Sequence, residues 1–194
     1  RPRPRGGRAF PAVTGVLLVN PKSGRGRAVA LGRRHQRALA AAGVDVKVLR
    51  VPVDVHGDPD ARFDVTRFKG AEAMVVVGGD GTLTRVAATL ARTSTPVYHV
   101  PVGNENLFAR TFGMSRDPEA LVVAVRRRDV AETDLAWMGD HPFLIMASFG
   151  PDAGVVHRLH GLRTKAIGHF AYTQPMIEEL MTGYGPVDIL WLDG

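Results

Sequence analysis

Residues 74–82 of this chain read MVVVGGDGT, a β-branched apolar run that ends in three closely spaced glycines. The apolar part predicts a buried strand, and a helical pattern over residues 82–92 follows at once. A strand, a glycine turn and a helix in this order often form a phosphate site. The glycines let phosphate approach the backbone N–H groups, and the helix adds the positive end of its dipole. We predict phosphate contacts at Gly78, Gly79, Gly81 and Thr82.

The carboxylate of Asp80 lies inside this glycine turn, where it would repel phosphate by itself. It suits such a place if it binds a cation or accepts a proton, and Mg²⁺ is commonly shared between carboxylates and substrate phosphates. We expect Asp80 to bind Mg²⁺ or to act as the catalytic base, and both roles stay open. The alternative is a tight turn in which Asp80 or Thr82 only caps the helix.

The composition restricts the class of protein. The chain has 194 residues, of which 45% are hydrophobic and 23% charged, as is ordinary for a globular domain. It has no cysteine. That absence excludes disulfides, a thiol nucleophile and a cysteine-ligated zinc, and no apolar run reaches the length of a membrane span. Because the chain starts with Arg and its last predicted strand has no partner, we expect a piece of a longer protein.

The net charge of +6 is unevenly distributed, with ten Lys and Arg and no acidic residue in residues 1–44. Such a region attracts nucleotide phosphates, an anionic membrane surface or nucleic acid, although a merely solvated basic face is the alternative. The charges lack the interleaved aromatic residues on which single-stranded nucleic acid stacks. We therefore expect no nucleic-acid partner.

Strand and helix patterns alternate up to about residue 128. We predict strands at 13–20, 44–51, 74–77 and 97–100, and helices at 27–42, 62–68, 82–92, 107–113 and 118–128, the last with Asp117 as its N-cap. This alternation predicts an α/β, Rossmann-like, mostly parallel sheet with helices on both faces, and ligands beyond the carboxyl ends of its strands. Beyond residue 128 the character of the sequence changes, and we predict strands at 130–135, 143–149 and 187–192 and a helix at 167–182.

Two more glycine-bearing loops fall at the same edge of the predicted sheet. Residues 20–26, NPKSGRG, follow the first strand, and residues 101–106, PVGNEN, follow the strand at 97–100. The first loop is not a Walker A loop, but it offers Ser23, the N–H groups around Gly24, and the cations Lys22 and Arg25.

These motifs resemble those of the diacylglycerol kinase-type lipid kinases, within the NAD kinase-like superfamily. GGDGT is shared with NAD kinases, whereas residues 20–26 are similar to the NPxSGxG element of the lipid kinases and residues 101–110 to their PxGTxNxxAR loop. Residues 148–153 are similar to a GxGFDA segment of the same family. Asn104 replaces the usual Thr of the PxGTxNxxAR loop, and Thr84-Arg85 replaces an Asn-Glu pair that usually follows GGDGT.

The resemblance implies an enzyme that transfers the γ-phosphoryl of ATP, with Mg²⁺, to a lipid hydroxyl such as that of diacylglycerol, in phospholipid metabolism. It implies an ATP-binding α/β domain at 11–129 and a partial β-rich lipid-binding domain at 130–194. Residues 1–10 are rich in Pro, Arg and Gly, and this composition predicts a disordered basic tail. The partners would be a lipid alcohol and an anionic membrane surface, for a cytoplasmic protein peripheral at the membrane. The nucleotide and its phosphates would contact Asn20, Lys22, Ser23, Gly24, Arg25, Gly103 and Asn106, in addition to the glycine turn.

Two alternatives stay open. One is an NAD kinase, and the other is a non-catalytic module that binds nucleotide or lipid, which the missing Asn-Glu pair and the partial second domain favour. The acceptor lipid and the oligomeric state are not determined by the sequence.

Overall fold

The structure, a computed structural model, describes residues 14–51, 70–147, 150, 153–155 and 173–183. The chain divides after Leu144 into two compact units. In the first, the elements are β1 (Thr14–Val19), α1 (Arg27–Ala41), β2 (Asp45–Arg50), β3 (Ala73–Gly78), α2 (Asp80–Thr93), β4 (Val97–Pro101), α3 (Leu107–Thr111), α4 (Pro118–Arg127), β5 (Ala136–Met138) and β6 (His141–Phe143). In the second, the structure describes α5 (Thr173–Gly183).

The first four strands form one sheet in the order β2-β1-β3-β4, and every neighbouring pair is parallel. From β1 the chain goes outward to β2 on one side, and β3 and β4 follow on the other side. The order therefore reverses between β1 and β3, which makes their carboxyl ends the switch point where ligands of such sheets bind. The predicted α/β fold with a parallel sheet is confirmed.

Helices cover both faces of this sheet, which explains why its central strands are apolar without alternation. On one face, Val16, Leu18, Met74 and Val76 pack with α2 and with Phe108 of α3. On the other face, residues such as Leu17, Val75 and Val77 pack with Ala28 and Leu39 of α1 and with Leu121 of α4. The sheet is therefore buried between two helical layers.

The capping prediction at Asp117 is confirmed. Its Oδ1 accepts the N–H of Glu119 at 3.0 Å, and Pro118 is the first residue of α4. The helix after the glycine turn starts at Asp80, two residues earlier than predicted, because Gly79 is already its N-cap.

The strand predicted at 130–135 is wrong. These residues form no strand, all but Leu135 are exposed, and a short hairpin of β5 and β6 follows instead, around the predicted turn at Gly139. The strand predicted at 143–149 ends at Phe143 in the described residues. The tail at 1–10, the helix at 62–68 and the strand at 187–192 lie outside the described residues, as does the first part of the helix at 167–182.

Candidate phosphate-binding site

Three loops meet at the carboxyl edge of the sheet, where β1, β3 and β4 end side by side. The N–H of Asn20 donates to Val77 O at 3.0 Å, and the N–H of Val102 donates to Gly78 O at 2.8 Å. The loops after the three strands are therefore fixed in register by the sheet itself. The convergence expected from the sequence pattern is present.

The side chain of Asn20 joins the first loop to the glycine turn. Its Nδ2 donates to Thr82 Oγ1 at 2.8 Å, and its Oδ1 accepts the N–H of Lys22 at 3.1 Å. Both Asn20 and Thr82 are buried. Asn20 was predicted to contribute to the nucleotide pocket and Thr82 to contact phosphate. The two side chains are hydrogen-bonded to each other, although 62 positions of sequence separate them.

The rest of the first loop is a single 3₁₀ turn, Ser23–Gly26, in which Gly24 has a φ of 59°. A Cβ on Gly24 would lie 2.9 Å from Val102 O, so glycine is required both by the backbone angle and by the close loop after β4. Lys22 and Arg25 are exposed at this turn. Their charges are available to an anion that approaches from solvent.

The glycine turn leaves several backbone donors open at the start of α2. Gly79 O accepts the N–H groups of Thr82 and Leu83, whereas the N–H groups of Gly79, Asp80 and Gly81 have no acceptor among the described residues. Unpaired first-turn N–H groups and the helix dipole together favour an anion. This is the geometry that the GGDGT sequence predicts.

The loop after β4 lies directly against this turn. A Cβ on Gly103 would lie 2.9 Å from the Cα of Gly79, and a Cβ on Gly79 would lie 3.2 Å from the Cα of Gly103. Any larger side chain at either position would push the loops apart, so the two backbones approach as closely as they do only because both residues are glycine.

The side chain of Asn106 closes the loop after β4 on itself. Its Oδ1 accepts the N–H of Gly103 at 2.8 Å and its Nδ2 donates to Gly103 O at 2.7 Å. Asn106 is buried and has a φ of 50°, a left-handed conformation that Asn tolerates better than most residues. It acts on the site by holding Gly103 in place.

Asp80 is bound to α3 in the structure, rather than free in its turn. Its Oδ2 accepts the N–H of Leu107 at 2.9 Å and its Oδ1 accepts the N–H of Phe108 at 3.2 Å. The carboxylate therefore caps α3, not the helix α2 that it begins. Sequence reasoning missed this contact because its partners are 27 and 28 residues away.

Asp80 still has lone pairs for a cation, since each oxygen accepts one N–H and has room for a second partner. No group of three or more His, Cys, Asp or Glu side chains that could hold a metal occurs in the described part of the chain. Asp80 would supply one carboxylate ligand to Mg²⁺, an ion that commonly takes its other ligands from substrate phosphates and water.

Thr84 and Arg85, which replace the Asn-Glu pair of the lipid kinases, lie in the first turns of α2. Thr84 Oγ1 donates to Asp80 O at 3.0 Å, inside the helix, and Arg85 is half-buried. Neither residue supplies a carboxylate that could join Asp80.

His99, which the sequence analysis did not single out, lies directly beneath the turn. It is fully buried, and its Nε2 is 3.0 Å from Gly78 O. Burial lowers the pKa of His99 below its usual value, and the hydrogen bond to Gly78 and the nearby Asp80 carboxylate offset part of this effect. A histidine on a buried strand was detectable in the sequence, but its partner was not.

Comparison with known proteins identifies the family of this chain. Residues 14–138 match the family described as "Diacylglycerol kinase catalytic domain". A diacylglycerol kinase of Mycobacterium tuberculosis is 33% identical over 173 residues, which are 85% of this chain and 54% of that protein. A Pseudomonas fluorescens protein named "Probable lipid kinase YegS-like" is 32% identical over 162 residues, 79% of this chain and 52% of that protein.

A solved structure of a diacylglycerol kinase from Bacillus anthracis has the same fold, with a TM-score of 0.55 and 26% identity over 70% of this chain and 49% of that one. The chain spans about half the length of these relatives. Since the matched region contains β1 to β5 and all three loops, the chain belongs to the lipid kinase family that is defined by the diacylglycerol kinase catalytic domain.

Proposed function

We propose that this chain binds ATP with Mg²⁺ and transfers its γ-phosphoryl group to a lipid hydroxyl, such as that of diacylglycerol. The observation that carries this proposal is the contact of three loops at the switch point of the sheet. The N–H groups of Gly79, Asp80 and Gly81 have no acceptor among the described residues, and the first loop carries two exposed cations, Lys22 and Arg25. Membership of the lipid kinase family supports the reaction type.

Each residue has a role that follows from its place. The backbone at Gly78, Gly79, Gly81 and Thr82 and the turn at Ser23 and Gly24 would surround the phosphates. Lys22 and Arg25 would neutralise their charge. Asn20 and Asn106 would shape the nucleotide pocket together with Gly103, because Asn20 joins the first loop to the glycine turn and Asn106 holds Gly103 in place.

The proposed reaction requires little covalent chemistry from the protein. The lipid oxygen forms a bond to the γ-phosphorus, the bond to the bridging oxygen breaks, ADP leaves and the hydroxyl proton passes to a base. Positioning and charge stabilisation account for most of the catalysis in such transfers. Mg²⁺ would neutralise the phosphates when bound, and Asp80 would either hold it or accept the proton.

ATP–Mg²⁺ should bind to the 194-residue chain with a Kd in the micromolar to millimolar range, because the three loops all belong to the first compact unit. Calorimetry with ATP and, separately, with NAD measures this. An NAD kinase would bind NAD tightly, so tight NAD binding without ATP binding would contradict the proposed function.

We also propose that the protein works peripherally at the cytoplasmic surface of a membrane. Among the described residues, every helix is too short or too polar to cross a bilayer. Arginines at 33, 34 and 37 on α1 and at 126–128 at the end of α4 are exposed on helices that cover the same face of the sheet. Such a basic face attracts anionic lipids.

Replacing Arg34 and Arg37 with Gln should weaken binding to phosphatidylserine vesicles by roughly 30-fold at low salt, because each of the two charges near the surface contributes about 1 kcal/mol before screening. Vesicle flotation measures this. The matched control replaces Lys47 and Arg50, exposed on β2, with Gln. Equal binding of wild type to neutral and anionic vesicles, or equal losses in both variants, would refute the basic face as the docking surface.

A further inference from the structure

His99 is a polar side chain in an apolar layer. It is fully buried on β4, its ring centroid is 6.3 Å from that of Phe108, and it faces the helix layer of α2 and α3. A polar ring in such a place is unfavourable unless its nitrogens are hydrogen-bonded. Only one ring nitrogen of His99 is hydrogen-bonded. Its Nε2 lies 3.0 Å from Gly78 O, whereas its Nδ1 has no partner in the described part of the chain.

This contact determines the proton's position on the neutral ring. A carbonyl oxygen only accepts hydrogen bonds, so Nε2 carries the proton and Nδ1 is the bare nitrogen. Gly78 O then accepts two donors, His99 Nε2 at 3.0 Å and the N–H of Val102 at 2.8 Å. Both donors come from β4 or from the residue after it.

The peptide between Gly78 and Gly79 is planar and trans, so its N–H points opposite to its C=O. Because Gly78 O points to β4, the N–H of Gly79 points to the β1 side of β3. The chain that follows β1 has left the sheet at the position opposite Gly79, because Asn20 O accepts the N–H of Ser23 within its own loop. The N–H of Gly79 therefore opens into the gap at the switch point, between the first loop and the glycine turn.

Two neighbouring glycines would otherwise let this peptide rotate, since glycine tolerates most backbone angles. We propose that His99 is a positioning residue: its Nε2–H, with the N–H of Val102, locks the Gly78–Gly79 peptide so that the Gly79 N–H faces the nucleotide phosphate. This inference rests on the proposed function, because it assigns the open N–H group to that ligand.

The chain offers a matched control for this inference in His35. It is also fully buried, its Nδ1 lies 2.9 Å from a backbone carbonyl, that of Leu31, and its Nε2 also has no partner among the described residues. Burial lowers the pKa of His35 as well. However, Leu31 is in the same helix α1, so this contact holds no part of the glycine turn.

The test compares ATP–Mg²⁺ affinity by calorimetry, and a melting curve, for wild type, His99→Leu, His99→Gln and His35→Leu. His99→Leu should weaken ATP binding about tenfold, the size of a lost hydrogen bond to an organised site. His99→Gln keeps an N–H donor at the same reach and should stay within about threefold of wild type. His35→Leu should change only the melting temperature.

His99→Leu with wild-type affinity, or an equal loss of affinity in His35→Leu, would overturn the role of His99 while leaving the proposed function intact. A wild-type chain that binds no ATP would instead overturn both. If His99→Leu does not fold, nitrogen-15 NMR of the wild-type histidines decides: an Nε2–H tautomer at His99 supports the proposal, and an Nδ1–H tautomer refutes it.

Discussion

Replacing Asp80 with Asn is expected to lower phosphoryl transfer from ATP to diacylglycerol by roughly 10²-fold or more, the usual cost of losing one positioned acid–base group. Asn keeps the size of Asp80 but loses the negative charge with which the side chain would hold Mg²⁺ or take the hydroxyl proton. The rate is measured with labelled ATP and lipid micelles, and the Mg²⁺ dependence of ATP affinity by calorimetry.

The same substitution should also lower stability, because Asp80 is a cap as well as a candidate catalytic group. Each carboxylate oxygen of Asp80 accepts one N–H, from Leu107 or from Phe108, so in the same orientation an Asn oxygen would accept one of them while its amide N–H would face the other. Leaving such a part-buried N–H unsatisfied costs on the order of 1 kcal/mol. A drop in melting temperature is therefore expected and does not by itself indicate loss of chemistry.

Asp117→Ala is the control that separates the two effects. Asp117 caps α4 through the N–H of Glu119, away from the glycine turn, and losing such a cap costs about 0.5–2 kcal/mol. This variant should lose comparable stability and keep its transfer rate and Mg²⁺ dependence. If Asp80→Asn retains both as well, Asp80 is only a cap and its catalytic and metal roles are wrong.

Replacing Gly103 with Val is expected to weaken ATP binding by roughly 10²-fold. Even a Cβ would lie 2.9 Å from the Cα of Gly79, so the loop after β4 must move away from the glycine turn. A displacement of about 1 Å in a positioning loop can cost this much in a site built on close geometry. Calorimetry with ATP–Mg²⁺ measures the change.

The control for crowding is Gly15→Ala, near the amino end of β1. A Cβ there would lie 3.2 Å from Val46 and 3.3 Å from Ala73 O, so it strains the sheet at the edge opposite the loops. It should lower the melting temperature without changing ATP affinity. Equal affinities for Gly103→Val and wild type would show that the contact between the two loops has no part in binding.

The α/β fold was predictable because its signals are local. Apolar β-branched runs, glycine turns and the cap at Asp117 each act within a few residues, and the alternation of strands and helices then limits the topology. The meeting of three loops followed from topology alone, since the carboxyl ends of parallel strands share one edge of the sheet.

What the sequence did not reveal depends on distant partners. The N–H groups that Asp80 binds belong to Leu107 and Phe108, and the oxygen that His99 binds belongs to Gly78, 21 residues earlier. The wrong strand at 130–135 has the same origin, because its mixed apolar and polar pattern is compatible with a strand whether or not another strand lies beside it.

The most direct test of the account is to locate ATP on the chain by amide NMR, with Mg²⁺ present and unlabelled ATP added to nitrogen-15-labelled protein. We expect the largest shifts at the amides of Gly24, Gly79, Asp80, Gly81 and Gly103, and small shifts in the β5–β6 hairpin. Saturable ATP binding whose largest shifts lie away from the three loops would contradict the assignment of the switch point as the phosphate site.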